Sequence, residues 1–113
     1  MSESLLVFCP VARVDEVAVG AVAQVEVRGR TIALFNLAGA FFATDGICTH
    51  AYAPLADGCV DGETVECPLH GACFSIKTGE VLSPPATEPL ATYAVRIEGE
   101  HVCVGVPEEP RAS

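Results

Sequence analysis

Apolar and polar residues alternate along several segments of the chain, which is the pattern of β-strands with one buried face. In Val22–Val27, Ala23, Val25 and Val27 share one face, and Gln24 and Glu26 lie on the other. Residues 31–37 form an apolar run typical of a buried strand, and residues 40–44 follow it. Gly29 and Gly39 separate these segments and predict two hairpin turns.

A further hairpin is predicted near the end of the chain. Two stripes of alternating apolar residues flank Gly99, namely Tyr93, Val95, Ile97 and Val102, Val104, Val106. No segment of a dozen residues shows the apolar period of a helix, although residues 11–19 have room for one helical turn. The pattern therefore predicts an all-β protein.

The middle of the chain has a different composition. Residues 45–85 are rich in glycine and proline and contain several cysteines, which favours loops over long strands and makes this stretch the candidate site of chemistry. Residues 107–113 are polar and broken by proline, so a flexible tail is expected there. The length fits one domain over residues 1–113.

Charge and hydropathy restrict the partners. Fifteen acidic and six basic residues give a formal charge of −9, which argues against nucleic acid and favours a protein partner with a basic docking patch. Four acidic residues form an insert, which is either a plain solvated face or a docking surface: Asp57, Asp61, Glu63 and Glu66.

No apolar run is long enough to span a membrane, and no secretory signal precedes the first strand. We expect a cytoplasmic protein without membrane contact.

Four residues in the middle stretch have the spacing of metal ligands. Cys48 and His50 are two positions apart, and Cys67 and His70 follow in the pattern C-x-H-x16-C-x2-H. In extended chain, residues two apart point to the same side, and Pro68 stiffens the turn between Cys67 and His70. Two loops that each offer a thiolate and an imidazole suit a [2Fe–2S] cluster with two Cys and two His ligands.

A mononuclear zinc site with the same four ligands is the structural alternative. Zinc fingers usually take both cysteines from one turn and both histidines from another, whereas each loop here mixes the two. A structural zinc module that acts in protein interaction is therefore kept as a second class of function.

With its flanking residues the pattern resembles the Rieske ferredoxins of bacterial ring-hydroxylating dioxygenases, over nearly the whole chain. The matching segments are residues 46–50, 54–58, 66–71, Phe74, Thr78, Gly79 and 84–86. The resemblance implies a Rieske fold, in which an antiparallel β-sandwich base carries a small cluster-binding subdomain of loops and short strands, here at about residues 45–86. Pro84 and Pro85 match a third loop that covers the cluster.

The resemblance also implies the activity. Such ferredoxins pass single electrons from a flavin-dependent NAD(P)H ferredoxin reductase to a terminal oxygenase that hydroxylates aromatic rings. We expect a monomeric electron-transfer component of aromatic hydrocarbon catabolism rather than an enzyme, because 113 residues leave no room for a second iron site. The small Rieske subunit of an NAD(P)H nitrite reductase shares the pattern and is the alternative within the redox class.

Four positions depart from the high-potential Rieske proteins of respiratory and photosynthetic complexes. Ala53 and Leu69 stand where those proteins have a disulfide, and Ala72 and Phe74 replace a Ser and a Tyr whose hydroxyls point at the cluster. Hydrogen bonds to cluster sulfurs stabilise the reduced state of the cluster. Their absence therefore predicts a reduction potential toward the low end of the range of roughly −150 to +300 mV that Rieske proteins span.

The remaining cysteines and the third histidine are not expected to act. Free cysteine is commonly a small buried apolar residue, which is the prediction for Cys9, Cys59, Cys73 and Cys103. His101 lies opposite the Val102 and Val104 face and is predicted to be an exposed strand residue.

Overall fold

The computed structural model describes residues 6–48, 53–68, 71–83 and 88–107. These residues form ten β-strands and a single turn of 3-10 helix, with no α-helix among them. The strands are β1 (Leu6–Arg13), β2 (Val22–Val27), β3 (Arg30–Leu37), β4 (Ala40–Asp45), β5 (Cys59–Asp61), β6 (Thr64–Glu66), β7 (Cys73–Ser75), β8 (Val81–Ser83), β9 (Thr92–Glu98) and β10 (His101–Pro107); the 3-10 turn is Leu55–Asp57.

Six strands form the larger sheet in the order β1-β10-β9-β4-β3-β2. The turns at Gly29 and Gly39 are confirmed, and each pairs the glycine with a preceding residue that also has positive φ. Arg28 and Gly29 have φ of 50° and 81°, and Ala38 and Gly39 have φ of 56° and 98°. Two consecutive positive φ angles match the twist of the strands, so these tight connections fix the register of β2, β3 and β4.

The larger sheet curls until its edge strands β1 and β2 come into contact. The curl encloses a core to which β2, β3, β4 and β10 contribute, so the predicted stripe of Val102, Val104 and Val106 faces inward. The β9 stripe is only partly confirmed, because Tyr93 and Val95 pack against this core whereas Ile97 is 49% exposed. Its fully or nearly buried members are Val17, Val27, Ile32, Leu34, Ala43, Val102, Val104 and Val106. The all-β prediction with antiparallel sheets is confirmed.

The smaller sheet contains the short strands β5-β6-β7-β8. It packs on a second core, which includes Phe35 of β3, Val65 of β6 and Phe74 of β7. The chain returns to the larger sheet beside the β7–β8 turn, where the Leu90 N–H donates to the Gly79 carbonyl across 2.8 Å. The two sheets are thus joined by apolar packing and by this backbone hydrogen bond.

The first strand was not predicted, and the helical turn proposed within residues 11–19 is wrong. β1 runs through Arg13, and a simple turn follows, in which the Glu16 N–H donates to the Arg13 carbonyl across 3.0 Å. The segment was not predicted as a strand because it contains Pro10, and proline is uncommon in strands since it has no N–H to donate. It is tolerated here because β1 is an edge strand that pairs only with β10, with a bulge beside Pro10.

Within the described part of the chain, no helix has the length and apolar character needed to cross a membrane. Pro107 ends β10 and pairs with Leu6, so the first residue of the predicted tail belongs to a strand; the rest of that tail lies outside the described residues.

Candidate metal centre

The first candidate loop leaves the larger sheet at the end of β4. Its base is closed by two backbone hydrogen bonds, from the Cys48 N–H to the Ala53 carbonyl at 3.0 Å and from the Leu55 N–H to the Gly46 carbonyl at 2.8 Å. Ile47 and Pro54 form a bridge between these bonds. The loop that contains His50 is therefore held shut at its base, whereas His50 itself lies outside the described residues.

The second candidate loop connects β6 to β7. The Cys67 N–H donates to the Ala72 carbonyl at 2.7 Å, and the Gly71 N–H donates back to the Cys67 carbonyl at 3.2 Å. Gly71 has φ of 76°, a conformation that favours glycine and lets the chain reverse directly before β7. His70 lies outside the described residues.

The two loops are built alike. In each, the cysteine N–H binds the carbonyl of an alanine five residues later, and all four residues are buried. Cys48 and Cys67 are 3% and 1% exposed and belong to the same apolar core between the sheets. Two buried thiols, each in a loop closed by an equivalent backbone hydrogen bond, offer the soft donors that iron–sulfur clusters and zinc require, so these residues fit such a group.

The described residues alone do not complete a metal site. Within them, no group of three or more Cys, His, Asp or Glu side chains is placed to hold a metal ion. Both predicted imidazole donors lie outside that part of the chain, which leaves the two thiols as its contribution.

A third element adjoins the second loop. The Cys73 N–H donates to the Ser83 hydroxyl oxygen at 3.1 Å, at a point where the pairing of β7 with β8 is irregular. This bond anchors the chain directly before the predicted covering loop, whose residues Pro84 and Pro85 lie outside the described residues.

The positions that distinguish high-potential Rieske proteins are deeply buried. Ala72 and Phe74 are fully buried, and Ala53 is 3% exposed. No hydroxyl is present at any of them, and Leu69 lies outside the described residues. The side chains next to both cysteines are therefore apolar at these three positions.

Two glycines support the loops in a way that the sequence motifs did not reveal. A Cβ atom on Gly58 would overlap the carbonyl oxygen of Glu66, the residue before Cys67. A Cβ atom on Gly79, which has φ of 80°, would overlap the carbonyl oxygen of Leu90. Both glycines lie in segments that the family resemblance covers, but only the close approach of two backbones explains their role.

A polar network lies at the start of the first loop. The Tyr93 hydroxyl donates to the Asp45 carboxylate at 2.5 Å and accepts from the Arg30 guanidinium at 3.3 Å. Burial raises the pKa of Tyr93, the hydrogen bond to Asp45 raises it further, and the Arg30 hydrogen bond opposes the rise. The network ties β9 to the end of β4, three residues before Cys48.

The cysteines outside the candidate loops differ in exposure. Cys103 is buried, which raises its pKa, and Glu98 adds to the rise. Cys9 and Cys73 are partly buried. The prediction of a buried residue is wrong for Cys59, which is exposed because it lies on the outward face of β5, opposite Glu66. His101 is exposed, as predicted.

Comparison with known proteins agrees with this geometry. The family model of the Rieske [2Fe-2S] domain matches residues 7–94. The chain belongs to the Rieske ferredoxin family. It binds one Rieske-type [2Fe–2S] cluster. Its relatives include the ferredoxin subunit of a dioxygenase, so the chain is an electron-transfer component rather than a catalytic enzyme.

Relatives of this Rieske ferredoxin resemble it over most of their length. The 3-phenylpropionate/cinnamic acid dioxygenase ferredoxin subunit of Escherichia coli (strain K12) is 45% identical over 101 residues, which are 88% of this chain and 92% of the relative. The ferredoxin of Sphingomonas yanoikuyae B1 superposes with a TM-score of 0.85 at 37% identity, covering 89% of this chain and 100% of that one.

A third comparison includes a partner. A structure described as a complex of reduced oxygenase and oxidized ferredoxin in carbazole 1,9a-dioxygenase contains a chain that superposes with a TM-score of 0.83 at 31% identity. The match covers 94% of this chain and 97% of that one.

Proposed function

We propose that this Rieske ferredoxin carries single electrons from a flavin-dependent NAD(P)H ferredoxin reductase to a terminal oxygenase that hydroxylates aromatic rings. The observation that carries the proposal is the pair of equivalent loops that bury Cys48 and Cys67 in one core. The relatives support the pathway, because one is the ferredoxin subunit of a 3-phenylpropionate/cinnamic acid dioxygenase and another occurs in a complex with an oxygenase.

The proposed ligands are Cys48 and Cys67 for one iron and His50 and His70 for the other, within a cluster-binding subdomain at about residues 45–86. When bound, the cluster would supply a one-electron redox centre. The chain's contribution is to hold the two thiolates in a buried, apolar setting, with each loop closed by its own backbone hydrogen bond.

Charge supports transient docking to a basic surface. Residues 53–83 contain five acidic side chains and one basic side chain, and all five acidic residues are exposed: Asp57, Asp61, Glu63, Glu66 and Glu80. The one basic residue, Lys77, pairs with Glu63 at 3.1 Å. Such a surface steers a basic partner toward the loops, and the attraction weakens as salt screens it.

We propose a cytoplasmic monomer that binds neither nucleic acid nor membrane. The cysteines outside the candidate loops form no disulfide, which fits a reducing compartment. Small size and an acidic surface suit a carrier that must dock with two partners in turn.

The test is to purify the protein anaerobically, reduce it with dithionite and record absorbance and electron paramagnetic resonance. A brown protein with a rhombic signal near g = 1.9 after reduction is expected. Cys67→Ser should abolish the signal, whereas Cys103→Ser, at another buried cysteine, should leave it unchanged. A colourless protein that holds one zinc would contradict the proposal and favour the zinc module.

Partner choice is tested separately. The reduced protein is mixed with a terminal aromatic-ring oxygenase and, in parallel, with the large subunit of an NAD(P)H nitrite reductase. Oxidation of the ferredoxin by the oxygenase, slowed by added salt, is expected. Oxidation or reduction by the nitrite reductase alone would assign the chain to that system.

A further inference from the structure

Glu66 lies against the second candidate loop. It ends β6 and directly precedes Cys67. An ideal Cβ atom on Gly71 would lie 3.2 Å from Oε2 of Glu66, so the carboxylate packs on the backbone of the residue that follows His70. The Gly71 N–H in turn donates to the Cys67 carbonyl. The carboxylate is thus placed against the loop by the absence of a side chain at Gly71.

Among the described residues, the salt bridges formed by Arg13, Lys77 and Arg96 do not include Glu66. Lys77, the basic residue of the smaller sheet, pairs with Glu63. Arg13 and Arg96 pair with acidic residues of the larger sheet. Glu66 stands between Cys59 and Cys73 on neighbouring strands, and neither provides a positive charge.

We propose that Glu66 is a positioning residue for the redox chemistry, whose fixed negative charge lowers the reduction potential of the cluster. The inference rests on the proposed function, because it takes Cys67 and His70 as ligands. Reduction adds one negative charge to the cluster, and a nearby carboxylate makes that addition less favourable. Because Glu66 is exposed, water and salt screen the effect, which makes it moderate and dependent on ionic strength.

The test compares reduction potentials of the intact holoprotein and its variants. Glu66→Gln removes the charge and keeps the shape, and we expect the equilibrium constant for one-electron reduction to rise about three- to tenfold at low salt. A tenfold change corresponds to about 59 mV for one electron. Glu66→Asp keeps the charge and should stay closer to the wild type than Glu66→Gln does.

Glu80→Gln is the matched control. Glu80 is also exposed and lies in the same part of the chain, at the turn before β8, so its substitution changes the net charge equally. We expect Glu80→Gln to leave the potential close to that of the wild type. In about 1 M salt, where the Debye length is about 3 Å, the difference between Glu66→Gln and the wild type should shrink.

Several results would overturn the inference. These are equal potentials for Glu66→Gln and Glu80→Gln, equal potentials for Glu66→Asp and Glu66→Gln, or a difference that high salt leaves unchanged. Loss of the cluster in Glu66→Gln but not in Glu66→Asp would show that the carboxylate holds the loop together instead. Absence of the [2Fe–2S] signal in the wild type would overturn the proposed function itself.

Discussion

Gly58 lies so close to the carbonyl of Glu66 that no side chain fits between them. The Gly58 N–H donates to the Leu55 carbonyl at 2.9 Å, so its position is fixed from the other side as well. This contact joins the end of the first candidate loop to the strand that enters the second, and it links the two cysteines mechanically.

Gly58→Ala is expected to weaken the cluster site strongly. Its new Cβ would overlap a backbone carbonyl rather than the end of a flexible side chain, so the cost should exceed the about 1–3 kcal/mol that is typical of overpacking. The measurement is the temperature at which the visible absorbance of the cluster is lost. Gly62→Ala is the control, since Gly62 has φ of 61° but no atoms near a new Cβ. It should cost about 1–2 kcal/mol. Equal effects of the two substitutions would contradict the contact.

Phe74→Tyr is expected to raise the reduction potential. Phe74 is fully buried, and the family resemblance places a cluster-directed hydroxyl at this position in high-potential proteins. A hydrogen bond of about 1.4 kcal/mol to the reduced cluster corresponds to about 59 mV. Phe35→Tyr adds the same hydroxyl elsewhere in the same core, and it should reduce stability without changing the potential. Redox titration of the wild type and both variants measures these potentials. An unchanged potential in Phe74→Tyr would contradict the explanation that the missing hydroxyl lowers the reduction potential.

Tyr93→Phe is expected to reduce stability at neutral pH by about 1–3 kcal/mol, because it leaves Asp45 without the phenol donor. The raised pKa of Tyr93 means that the folded state favours the neutral phenol. The contribution of the neutral phenol to folding stability is complete below its pKa in the unfolded state, which is near 10. It is lost as the pH rises through the higher pKa of the folded state. The difference in unfolding midpoint between wild type and variant should therefore narrow above about pH 10. A constant difference up to pH 12 would be inconsistent with this network.

Removal of the iron is expected to loosen the smaller sheet while the larger sheet stays folded. The core beneath the smaller sheet contains both Cys48 and Cys67, whereas the core inside the curled sheet contains no proposed ligand. Amide hydrogen exchange should become faster in residues 53–83 and change little in β3 and β10. Reconstitution with iron and sulfide is the control and should restore slow exchange. Equally fast exchange throughout would show that the two cores unfold as one unit.

Much of this protein can be predicted from the sequence alone, because strand alternation and tight turns act over a few residues. The stripe of Val102, Val104 and Val106 predicts an inward face, and the glycines at 29 and 39 predict the hairpins. The spacing of Cys48 and Cys67 with their histidines predicts the cluster through donor chemistry. β1 could not be predicted because Pro10 interrupts its apolar pattern, and its pairing with β10 is what makes it a strand.

The rest was decided by contacts between segments distant in sequence. The placement of both cysteines in one core, the approach of Gly58 to Glu66 and that of Gly79 to Leu90 depend on how the two sheets pack. The exposure of Cys59 and the bond from Tyr93 to Asp45 depend on strand neighbours that no local pattern encodes. Residue types and spacing therefore determined which chemistry the chain holds, whereas tertiary packing determined how rigidly it is held and which charges surround it.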